Sequence, residues 1–180
     1  MEKVRGFEVA KGFEEKEINL PVRATKNAAG YDFECAEDIT IQPIWNNVLK
    51  LFMRVIKTNR TISDMLQLEE WQKGLKPTLV KTGVKAYMQG YEALFLYNRS
   101  SNPLKKFLFL GNGVGVVDAD YYENPDNDGH IMFQFINFGL FPVTIKKGER
   151  IGQGVFADFY VADNDKAENV RQSGFGSTGK

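Results

Sequence analysis

KFLFLGNGVGVVDA, residues 106–119, reads as a hairpin of two short strands around a glycine-rich turn. Its flanks are aromatic, β-branched or leucine, types that pack on a pleated surface, and Gly111-Asn112-Gly113 supplies turn chemistry between them. The same texture recurs in LVKTGVKAYM (79–88), YEALFLYN (91–98), HIMFQFIN (130–137) and RIGQGVFADFYV (150–161). Many short strands at near-regular spacing predict an all-β sandwich or barrel. Upstream, Val4, Phe7 and Val9 sit among charges, and Ile18, Leu20 and Val22 alternate with Asn19, Pro21 and Arg23. Both stretches predict strand, as does ITIQP (39–43), while Asn27 to Asp32 is a loop or turn centred on Gly30.

One segment breaks the pattern. From about Ile44 to Leu75 the period becomes helical, with Val48, Leu51, Phe52, Val55 and Ile56 on one face. Thr61-Ile62-Ser63-Asp64 offers N-cap residues before Met65, Leu66, Leu68 and Trp71, and Gly74 and Pro77 close the stretch. The expectation is a single β domain over residues 1–170 that carries two short helices as an insert at about 44–75.

The 180 residues suit one domain with a substantial core. Lys+Arg and Asp+Glu balance at 23 each, which argues against a nucleic-acid coat or an anionic-membrane binder but leaves room for a local basic cluster around a small anion. Cys35 is the only cysteine, so no internal disulfide forms, and it is expected as a small buried hydrophobe. The charged first residues do not resemble a signal peptide, and no apolar run reaches membrane-spanning length, so a cytoplasmic protein is expected.

Hydrolysis of a nucleoside triphosphate needs donors around the phosphates, a divalent metal to spread charge, and a carboxylate to orient a water. Candidates for the protein groups are present. Asp118 and Asp120 follow the 106–119 turn, and strand alternation would put them on one side. Arg99-Ser100-Ser101 ends a strand with a guanidinium and two hydroxyls, and Lys147-Gly148-Glu149-Arg150 is a charged turn. The last ten residues, RQSGFGSTGK, supply Arg171 and a glycine-rich run around Phe175 that lacks P-loop spacing. With one histidine and one cysteine, a structural zinc site is not expected.

In order and spacing these pieces resemble the five motifs of the trimeric dUTPase family. They are Ala29-Gly30-Tyr31-Asp32; Arg99-Ser100-Ser101; Gly111 through Tyr121; Lys147 through Gln153; and Arg171 through Gly179. The resemblance spans nearly the whole chain apart from residues 44–75. It implies a distorted jelly-roll (β-clip) fold, a homotrimer with shared sites, and Mg²⁺-assisted hydrolysis of dUTP to dUMP and pyrophosphate. Asp118 would be the general base. Asn112 and the backbone at Val116 and Val117 would read the uracil edge, and Tyr121 would pack on the deoxyribose. Met132 would be a further substrate contact. Arg99, Ser100, Ser101, Arg150 and Gln153 would contact the phosphates, and Asp32 would reach Mg²⁺ through its waters. Residues 171–180 would form a flexible lid, with Phe175 stacked on uracil and Arg171, Gly176, Ser177 and Thr178 around the phosphates. This chain departs from the pattern at Ser101, where glycine is common, and at Tyr122-Glu123, where Arg-Gly is usual. It also has one residue fewer between Arg171 and Phe175 than many members. Two rival expectations stand beside this: a dCTP deaminase on the same architecture, and a regulatory protein that binds a partner through the helical insert.

Overall fold

The alternation in RIGQGVFAD becomes a nine-residue strand, Arg150–Asp158, which organises the sheet around it. The computed structural model describes residues 3–58, 61 and 75–167. In chain order these form β1 (Gly6–Val9), β2 (Val22–Arg23), β3 (Tyr31–Glu34), β4 (Ile39–Ile41), α1 (Ile44–Thr58), β5 (Thr78–Lys81) and β6 (Val84–Tyr87). There follow β7 (Glu92–Asn98), β8 (Leu108–Leu110), β9 (Gly115–Asp118), β10 (Met132–Asn137), β11 (Val143–Ile145) and β12 (Arg150–Asp158). A five-stranded antiparallel sheet runs β2-β3-β12-β7-β9. A three-stranded sheet runs β5-β10-β8, and β1-β6 and β11-β4 form pairs. The arrangement is the expected jelly-roll-like β fold with a helical insertion.

The core lies between the sheets. Phe33, Leu94, Leu96, Val117 and Ile151 of the five-stranded sheet meet Phe133 and Phe135 of β10, Val80 of β5 and Leu108 of β8. Each fully buried phenylalanine stabilises the fold by about 1.5–3 kcal/mol relative to leaving it in water. Gly152 permits the closest of these contacts, because a Cβ there would stand 2.0 Å from the Phe133 ring. Cys35 is buried as expected, and burial pushes its thiol pKa up.

Three local expectations are corrected. The 106–119 stretch is not a hairpin: β8 pairs with β10 and β9 with β7, so the Gly-Asn-Gly turn carries the chain from one sheet to the other. LVKTGVKAYM is two strands, parted at Thr82-Gly83 and committed to different sheets. Of the 18–23 alternation only Val22–Arg23 is strand. The first inserted helix is present as α1; the second, expected around 62–74, lies outside the described residues. On α1 Val48, Phe52 and Ile56 are exposed among the described residues, while Trp45 donates its indole N–H to Phe138 O at 2.9 Å. No helix of the described residues is long and apolar enough to cross a membrane.

Candidate active site

Asp32 is the centre of the first polar constellation. It sits in β3, directly opposite Gln153 of β12, and its carboxylate is buried. Gln153 donates through Nε2 to Oδ1 at 3.0 Å, and Arg150 donates through Nη1 to Oδ2 at 3.0 Å. Gly30 makes room for this: a Cβ there would press on the Gln153 side chain at 3.2 Å. The loop before it is shaped by Arg23, which donates to Lys26 O and Ala28 O. A cleft of about 430 Å³ opens over Asp32, Arg150, Glu34 and Asn19. Among the described residues no three His, Cys, Asp or Glu side chains converge as a metal cage. One buried carboxylate beside open space suits a cation that arrives on a ligand and keeps its own waters.

The turn after β7 joins this constellation. Arg99 donates through Nη1 to Arg150 O at 3.0 Å. Ser100 is exposed, and Ser101 precedes a short π-helical turn, Asn102–Lys106. Sequence reasoning passed over Asn102, whose amide is buried and bonded to Asn98 Oδ1 and Ile151 O. The Asn102-Pro103 dipeptide was a turn signal, but nothing local marked its side chain as buried.

The second constellation lies on β9. Asn112 and Val116 are exposed, Val117 points into the core, and Asp118 ends the strand. Asp120 does not share a strand face with Asp118, because Ala119–Tyr121 is a 3₁₀ turn. Among the described residues β9 is the outer strand of its sheet, so alternate backbone N–H and C=O groups along it have no sheet partner there. Tyr121 is buried, donates its hydroxyl to His130 O at 3.1 Å and accepts from Asn127 Nδ2 at 2.7 Å. Burial holds His130 neutral, with its pKa lowered to about 4, and its Nε2 accepts from Gly83 N at 3.0 Å. The acidic loop that follows is tied down by the buried Lys85, which pairs with Glu123 and Asp128. Burial and the Glu8 carboxylate raise the Tyr122 pKa. Met132 stands apart from both constellations, in β10 opposite Lys81. Arg171, Phe175, Gly176, Ser177 and Thr178 lie outside the described residues.

The register gives the separation of the two constellations. Gln153 pairs with Asp32 on one side and with Tyr97 on the other, whereas Asp118 pairs with Ala93, four residues along β7 from Tyr97. Three strand spacings and four residues of rise put Asp32 and Asp118 roughly 20 Å apart on one face of the sheet.

A family model described as dUTPase matches residues 69–179 of this chain. The deoxyuridine 5'-triphosphate nucleotidohydrolase of Lactococcus lactis subsp. lactis is 44% identical over 179 residues, covering 98% of this chain and 99% of that protein. The chain belongs to the dUTPase family. A Desulfitobacterium hafniense deoxyuridine 5'-triphosphate nucleotidohydrolase is 33% identical over 172 residues, covering 92% of this chain and 90% of its own. Among solved structures, dUTPase from Streptococcus mutans superposes with a TM-score of 0.67 at 39% identity, covering 88% of this chain and 99% of that one. The dUTPase from phage phi11 of S. aureus shares the fold, with a TM-score of 0.61 at 16% identity, covering 97% of this chain and 99% of that chain. The protein is thus a dUTPase-family hydrolase of nucleotide metabolism.

Proposed function

We propose that the protein hydrolyses dUTP to dUMP and pyrophosphate in sites assembled between copies of a homotrimer. The observation that carries this is the roughly 20 Å between Asp32 and Asp118 on one sheet face. A water held by Asp118 and a cation held near Asp32 must both reach one triphosphate, so neighbouring copies have to supply the two halves. Val116 and Tyr97, exposed on that face between the halves, offer apolar surface for the association.

In this reading Asp118 orients a water and takes its proton while the water oxygen attacks the α-phosphorus. The bond from that phosphorus to the bridging oxygen breaks on the opposite side, and pyrophosphate leaves. Uracil is read by Asn112 and by the backbone of β9 at Val116 and Val117; the edge position of β9 supports this, since its outward groups have no ladder partner among the described residues. The anchored ring of Tyr121 bounds the sugar, with Met132 a further contact. Arg99, Ser100, Ser101, Arg150 and Gln153 face the phosphates. Bound Mg²⁺ supplies charge neutralisation on the phosphate oxygens, and Asp32 would hold its waters. Arg171 through Thr178 close over the nucleotide as a lid that excludes water.

Release of pyrophosphate from dUTP, UTP, dTTP and dCTP with Mg²⁺ tests the reading. Turnover confined to dUTP, without ammonia from dCTP, is expected; deamination of dCTP would overturn it.

A further inference from the structure

We propose that Asn102 is a positioning residue for this reaction, because it holds the β-bulge that turns Arg150 and Gln153 onto one carboxylate. In a regular strand, residues three apart point to opposite faces. Arg150 and Gln153 are three apart, yet both bond to Asp32. The register explains this: Arg150 pairs with Glu34 and Gly152 with Phe33, so Ile151 is one residue too many on β12. The bulge inverts the alternation and brings both side chains to the Asp32 face.

A bulge disrupts the ladder locally, and here the turn after β7 receives the carbonyls of its first two residues. Arg99 donates to Arg150 O, and Asn102 Nδ2 donates to Ile151 O at 2.7 Å. The other hydrogen of the Asn102 amide goes to Asn98 Oδ1 at 2.8 Å, and Asn98 in turn donates to Leu108 O at 2.9 Å. The Asn102 backbone N–H closes the turn onto Arg99 O at 3.0 Å. Asn102 is 3% exposed, so water cannot readily replace these bonds. One buried amide thus fixes the bulge, the Arg99–Ser101 turn and the spacing between two sheets. Leucine has a comparable shape and no donor, so Asn102→Leu would leave Ile151 O and Asn98 Oδ1 without this donor and free the bulge to slip.

The test has two arms, and only the second rests on the proposed hydrolysis. In the first, amide hydrogen exchange is followed along β12 in the parent and in Asn102→Leu. Faster exchange by about tenfold or more at 150–153, with 154–158 unchanged, is expected from a loosened bulge. Unchanged exchange at 150–153, or equal loosening of the whole strand, would overturn the proposal. In the second, Asn102→Leu and Arg150→Ala are combined. Asn102→Leu alone should lower kcat/KM for dUTP by about tenfold or more, and its further effect on Arg150→Ala should be smaller by about threefold or more, the remainder acting through Gln153 and the Arg99–Ser101 turn. Effects that multiply would show that Asn102 does not act through Arg150. If Asn102→Leu does not fold, Asn102→Ser, which keeps one donor, runs both arms. A parent without dUTP turnover would remove the proposed function and leave the exchange arm to decide the role of Asn102.

Discussion

Tyr121 shows how a buried residue changes the experiment that tests it. Its ring belongs to the core and its hydroxyl is held by His130 O and Asn127. Truncation to alanine would open a cavity costing about 3–5 kcal/mol and confuse folding with selectivity. Tyr121→Phe keeps the ring. If ring shape excludes a 2′-hydroxyl, this variant keeps the dUTP over UTP ratio of kcat/KM within about threefold, while losing about 1–2 kcal/mol of stability with the buried hydrogen bonds. A collapsed ratio at preserved structure would move selection to the hydroxyl. His130, next to it, makes a pH-dependent contribution. Its folded pKa is about 4 against an ordinary 6.5. Between those values the unfolded chain binds a proton that the folded chain refuses, so stability falls as pH drops through that window. Between pH 7 and pH 5 the loss is about 2 kcal/mol. Urea midpoints of the parent and His130→Gln at both pH values should show a flatter dependence in the variant; parallel dependence would contradict the assignment.

At the scale of elements, the strands were legible because their apolar residues alternate, but their partners were not. Gly111-Asn112-Gly113 carries the composition of a hairpin turn and makes a crossover instead, since tertiary pairing chose β10 for one flank and β7 for the other. The bulge at Ile151 was invisible for a related reason. It is a property of the register between β12 and β3, not of either strand alone. Gly152 shows the same limit, as its need for a bare Cα comes from Phe133 on another sheet. Gly152→Ala should therefore destabilise the protein by about 1–3 kcal/mol or more, from overpacking against an aromatic ring. Thermal unfolding of the variant measures this, and an unchanged Tm would mean that the ring shifts freely.

For the whole molecule, one grouping of candidate residues was legible through its motifs: Asp32, Arg150 and Gln153 do meet, and the Arg99 turn joins them. What composition and spacing could not show is the separation of Asp32 from Asp118, because distance across a sheet depends on strand order. In the proposed trimer Asp32 of one copy works with Asp118 of another. Asp32→Asn and Asp118→Asn should each lower kcat for dUTP on the order of 10²-fold or more when assembled alone. Co-assembled in equal amounts, any mixed cyclic trimer holds one site with both carboxylates intact, so about a quarter of parental activity should return. Pyrophosphate release from dUTP by the mixed assembly is the measurement. Recovery towards a quarter is the predicted result; activity no higher than that of the two variants apart would contradict a site shared between copies.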